Sequence, residues 1–125
     1  MRLSLKGTQL SITPAIREYL EKRLAALARH INLEDSAVLL QVELGRTTRH
    51  HHTGDVFRAE INLYRGKESF RAEAEAQDLY AAIDEVRDEI IREVTGSKEK
   101  RLSLLRRGGQ KVKDILRGLY RLGRK

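Results

Sequence analysis

The sequence predicts an α+β two-layer sandwich of order β-α-β-β-β-α, with both helices on one face of a four-stranded sheet. Three observations lead there. Apolar residues alternate with polar ones through most of residues 38–76, the period of half-buried strands. Two other stretches repeat their apolar residues at steps of three and four, which marks one face of a helix. The connections among the last three strands are short, as antiparallel neighbours require. Each element has a single apolar face, so the helices share one side of the sheet and the other side is wet.

The first strand spans Arg2 to Gln9, with Leu3 and Leu5 alternating with Arg2, Ser4 and Lys6. Gly7 interrupts it and marks a bulge or a close backbone approach. Its place in the sheet stays open at this point. Thr13-Pro14 starts the first helix: Thr13 can cap it, and Pro14 sits where a missing N–H costs nothing. Ile16, Leu20, Leu24, Leu27 and Ile31 follow at helical spacing, so this helix runs to about His30. Asn32 to Asp35 is a loop. Val38, Leu40, Val42 and Leu44 set the register of a second strand ending near Gly45. Arg46 to Asp55 reads as a polar loop that holds His50, His51 and His52. Phe57, Ala59, Ile61 and Leu63 make a third strand, and Tyr64-Arg65-Gly66-Lys67 suits a hairpin connection. In the fourth strand Phe70, Ala72, Ala74 and Ala76 alternate with Ser69, Arg71, Glu73 and Glu75. The period then changes. Leu79, Ile83, Val86, Ile90 and Val94 form the stripe of a second helix, with Asp78 placed to cap it.

The chain has 125 residues, no cysteine and a formal charge of +7. That length suits one domain, here residues 1–102, followed by a basic tail, 103–125. No apolar run approaches the ~20 residues that span a bilayer, and the N-terminus lacks a signal peptide's apolar segment. A soluble, cytoplasmic protein is expected. Charge is unevenly distributed: residues 77–96 carry two Lys/Arg against six acids, and residues 97–125 carry eleven against two. Such a basic block points to an anionic partner, nucleic acid before membrane. Val112, Ile115, Leu116, Leu119 and Leu122 would share one face of an amphipathic helix, although the tail could equally stay unstructured until bound.

No catalytic constellation is present, neither a nucleophile elbow nor a Gly-rich phosphate loop, so a non-enzymatic protein without cofactor or small-molecule substrate is expected. Asp84, Glu85, Asp88, Glu89 and Glu93 mostly belong to the outer faces of the second helix. Three adjacent histidines point alternately in an extended loop, which argues against a metal site and for a polar loop or contacts to RNA. The candidate anion-binding residues are basic: Lys22, Arg23 and Arg29 on the first helix, Arg87 on the second, then Lys98, Lys100, Arg101, Arg106 and Arg107. With the helices side by side, these could line one surface. Aromatic residues are few and scattered, so phosphate and shape contacts are favoured over base readout.

Gly7 with Ser11-Ile12-Thr13-Pro14-Ala15-Ile16-Arg17, and the run from Ala74-Glu75-Ala76-Gln77-Asp78 through Leu79-Tyr80-Ala81-Ala82-Ile83-Asp84, resemble the ribosome hibernation-promoting factor family. That family is also called ribosome-associated inhibitor A or sigma-54 modulation protein/S30EA, and the resemblance covers about residues 1–102. It implies a fold similar in outline to double-stranded RNA-binding domains. It also implies binding to ribosomal RNA of the small subunit, between head and body, where messenger and A- and P-site transfer RNAs lie. Translation would thereby be blocked in stationary phase or stress. Arg23, Lys98 and Lys100 match basic positions of the family, whereas Ala26 stands where a further basic residue is common. The long members' second domain, which pairs ribosomes, has no counterpart within 125 residues, and a monomer is expected off the ribosome. A structured-RNA-binding module not tied to the ribosome is the alternative.

Overall fold

The computed structural model describes residues 1–48 and 54–107, with only the course of the helix over 97–107. The histidine run at 50–52 and the end of the tail from 108 lie outside the described residues. The elements are β1 (Arg2–Thr8), α1 (Pro14–Leu24), a short 3-10 helix (Ala25–Arg29), β2 (Val38–Thr48), β3 (Asp55–Arg65), β4 (Glu68–Ala76) and α2 (Leu79–Arg107). Met1–Val94 forms one compact unit, and the chain from Thr95 belongs to a second. The expected division at residue 102 therefore falls inside α2.

The sheet has the order β1-β2-β3-β4. β1 is an edge strand parallel to β2, from Arg2 opposite Leu39 to Thr8 opposite Gly45. Parallel neighbours need a crossover, and α1 provides it. The other two pairs are antiparallel, with Ile61 opposite both Val42 and Ala72. One core holds Val38, Leu40, Val42 and Leu44 from β2, and Ala59, Ile61 and Leu63 from β3. Ile16, Leu20, Leu24 and Leu27 reach it from the first helical segment, and Leu79, Ile83, Val86, Ile90 and Val94 from α2. Both helical stripes thus lie on one side of the sheet.

Local chemistry accounts for the boundaries. Thr13 Oγ1 accepts from Ile16 N–H at 3.2 Å, and Pro14 occupies the first helical position. The Ala82 N–H bonds to the Asp78 carbonyl at 3.0 Å, the first helical bond of α2. α1 stops at Leu24, earlier than expected, because the next five residues tighten to three per turn. That pitch stacks Leu27 under Leu24, and both are buried. β2 and β3 are longer than their apolar patterns: Arg46, Thr47 and Thr48 pair with Phe57, Val56 and Asp55. The expected polar loop therefore begins later than Arg46. Polar ladder residues satisfy their backbone groups as well as apolar ones do, but leave no periodic signal.

Gly7 lies in an unbroken register opposite Leu44, so no bulge forms there. The close approach is real, since a Cβ at Gly7 would sit 2.3 Å from the Leu10 carbonyl oxygen. The chain folds back at Gln9, which has φ 54°. At the β3–β4 connection Gly66 has φ +59°, the glycine-first position of a two-residue hairpin turn.

The open face of the sheet is polar and internally compensated. Arg58 Nε lies 2.7 Å from Glu73 Oε1, and its terminal nitrogen lies 3.0 Å from Glu60 Oε2. Arg71 reaches Glu60 at 3.1 Å and Glu73 at 3.5 Å. The hydrogen bond from Arg58 holds the Glu73 carboxyl below its ordinary value of 4.5, and Glu73 in turn raises Arg58.

Two outcomes follow from this packing. Gly7→Ala should destabilise by about 2 kcal/mol in urea unfolding, because backbone must move to admit the methyl group. Gly66→Ala, which meets nothing within 4 Å, should lose only about 1 kcal/mol from its left-handed backbone. A depressed folded-state pKa stabilises above the unfolded value. The Glu73 contribution should therefore be complete above pH 4.5 and vanish as pH falls through the folded-state value. Glu73→Gln should flatten that part of the stability–pH curve.

Candidate nucleic-acid interface

Positions one residue before two core leucines meet α2 from the side. Leu20 and Leu24 point into the core, so Tyr19 and Arg23, also four apart, face the seam between the helices. On α2, Tyr80 and Asp84 occupy the equivalent stripe. The Tyr19 hydroxyl is shared between the two carboxylate oxygens of Asp84, at 2.9 and 3.0 Å. Arg23 Nε lies 3.2 Å from Asp84 Oδ1. The Arg23 guanidinium carbon also sits 4.7 Å from the centroid of the Tyr19 ring, a cation–π distance. Tyr80 meets Tyr19 nearly at right angles, 87°, with centroids 4.7 Å apart. Moving from Tyr19 to Arg23 and from Tyr80 to Asp84 goes the same way along the seam, so the helices run parallel. A carboxylate that binds two partners on the other helix fixes how α1 lies against α2.

The other expected residues differ in setting. Lys22 is 74% exposed and pairs with Glu18 at 3.2 Å, one turn earlier. Such a solvated pair adds little stability and leaves the ammonium accessible. Arg29, on the 3-10 turn, is exposed and makes no ion pair among the described residues. Arg87 lies on the stripe of Tyr80 and Asp84, is mostly covered, and pairs with its neighbour Asp88 at 2.9 Å. Arg23 from α1 and Arg87 from α2 thus belong to the seam, while Lys22 and Arg29 are exposed on the first helical segment. Lys98, Lys100, Arg101, Arg106 and Arg107 lie on the later turns of α2, in the second unit, where only the helix path is described.

The opposite flank of α2 carries the other sign. A concavity between α2 and β4 is lined by Glu73, Ala74, Glu85, Asp88, Glu89 and Arg92. Arg92 there is paired with Glu89. Among the described residues no group of three His, Cys, Asp or Glu is placed to hold a metal, and no helix is long and apolar enough to cross a membrane. The sequence reading missed Tyr19, Tyr80 and Asp84 as a cluster. Their i, i+4 spacing was visible, but not which side of each helix faces the other.

Residues 3–102 match the family model described as sigma 54 modulation protein/S30EA ribosomal protein. A ribosome hibernation promoting factor of Escherichia coli K12 is 35% identical over 101 residues, covering 80% of this chain and 96% of that protein. A ribosome hibernation promotion factor of Picosynechococcus is 27% identical over 116 residues. That match covers 93% of this chain but only 58% of the longer relative. Among solved structures, the N-terminal domain of Thermus thermophilus Protein Y aligns with a TM-score of 0.62 and 37% identity. That alignment covers 75% of this chain and 96% of the Thermus chain. The family match over most of the chain, together with the 35% identical relative and the structural likeness, shows that the chain belongs to the sigma 54 modulation protein/S30EA ribosomal protein family, one of ribosome-associated factors rather than enzymes.

Proposed function

We propose that this chain is a non-enzymatic ribosome hibernation factor. It binds ribosomal RNA of the small subunit in the A- and P-site region and excludes messenger and transfer RNA there in stationary phase or stress. The observation that carries the reading is the seam: a family member in which Arg23 is held at a defined place between two parallel helices. Family membership supports the ribosome as partner, and the names of the hibernation-factor relatives support the physiological role.

The mechanism is occupancy. Lys22, Arg23, Arg29 and Arg87 present donors to phosphate oxygens, Arg23 and Arg87 from the seam and Lys22 and Arg29 from the exposed side of the first helical segment. Lys98, Lys100, Arg101, Arg106 and Arg107 add positive charge along the later turns of α2. Each phosphate neutralised releases condensed counterions, so affinity falls steeply with salt. The sheet's open face is unsuited to this work, because Arg58 and Arg71 are already engaged by Glu60 and Glu73. The protein acts in the cytoplasm, as a monomer when off the ribosome, and the basic residues from 108 onward extend the phosphate contacts.

Co-sedimentation with small subunits at moderate salt, together with protection of A- and P-site nucleotides from chemical probes, tests the location. Binding to structured RNA without preference for small subunits would favour the alternative module instead. Arg23→Ala should weaken subunit binding and lower the slope of log affinity against log salt by about one. Removing residues 108–125, which hold six Lys/Arg and one Asp, should flatten the slope further. An unchanged slope after that truncation rejects a role for the tail.

A further inference from the structure

Tyr80 is one of three large hydrophobic side chains exposed among the described residues, 39% accessible, beside Met1 and Tyr64. Tyr80 alone of these three lies against a second ring. A perpendicular ring contact covers at most one of the two faces of Tyr80, and the residue as a whole remains 39% accessible. Its neighbour is not free to move: the Tyr19 hydroxyl is tied to both oxygens of Asp84, and Arg23 lies against its ring. Arg23 is 42% exposed, and its Nε contact with Asp84 uses one of five N–H donors. An accessible, braced aromatic ring therefore stands one residue away from an oriented guanidinium. Proteins that hold single-stranded nucleic acid combine these two parts, a ring for the base and a cation for the backbone.

We infer that Tyr80, braced by Tyr19 and flanked by Arg23, is a subsite for one unpaired RNA nucleotide: the base stacks on Tyr80 and the adjoining phosphate meets Arg23. The inference rests on the RNA-binding reading above and goes further by assigning a residue that is neither basic nor a phosphate ligand. Tyr80 carries no charge, so its share of the affinity comes from stacking and is insensitive to salt, while counterion release at this spot belongs to Arg23. That gives Tyr80 a signature different from the basic residues.

Two measurements on the full chain test it. Binding to purified small ribosomal subunits should weaken about tenfold in Tyr80→Leu, with the salt slope unchanged, while Tyr80→Phe should bind like wild type. A short single-stranded RNA carrying 2-aminopurine should be quenched on adding wild type or Tyr80→Phe, and much less with Tyr80→Leu. Quenching and subunit affinity that survive in Tyr80→Leu would overturn the subsite, even with ribosome binding intact. If Tyr80→Phe loses both as Tyr80→Leu does, the role is structural and the subsite is likewise overturned. Wild type that quenches the oligonucleotide but ignores small subunits would instead refute the ribosomal reading and leave the subsite standing.

Discussion

The architecture depends on one constraint: the sheet has a single apolar side, and everything that can cover it comes from two helical stripes. Leu40, Val42 and Leu44 lie opposite Leu63, Ile61 and Ala59 along the ladder, and Val38 extends the row, so the central strands form a continuous greasy surface. Leaving it wet would cost about 25 cal/mol for every Å² exposed. α1 and α2 cover that surface together, and this forces them to lie beside one another. A groove between two parallel helices is thus a consequence of core burial, not a separate invention.

Once the helices are neighbours, their flanking residues decide what the groove can do. Asp84 is central, because it binds both a phenol and a guanidinium from the other helix. The arrangement stays half exposed, so neither charge bears the full penalty of burial. Arg23 is held in place without being hidden, which suits a group that must meet a large, rigid anion. The sheet's outer surface shows the contrasting solution, in which cations and carboxylates satisfy each other and leave little field outside.

Much of this was legible from periodicity. Every apolar residue placed on the first helix stripe from Ile16 to Ile31, and on the second from Leu79 to Val94, is buried in the core. Those patterns report which way side chains point within one element. They say nothing of how two elements are rotated against each other, and Tyr19, Tyr80 and Asp84 escaped notice for that reason. The polar ends of β2 and β3 were invisible because Arg46, Thr47 and Thr48 join the ladder without an apolar residue to mark its period. The pairing of β1 was also hidden. Leu3 and Leu5 would alternate equally well at either edge, and only the crossover through α1 settles it.

The acidic concavity between α2 and β4 gives the compact unit an electrical front and back. Glu73, Asp88 and Glu89 each hold an arginine there. Glu85 is therefore the lining carboxylate whose field is least compensated, felt by a polyanion within roughly a Debye length, about 8 Å at physiological ionic strength. An approach from the Arg23 side meets no such field. The two flanks of α2 thus differ in sign, which biases how a polyanion would approach the compact unit without any sequence readout.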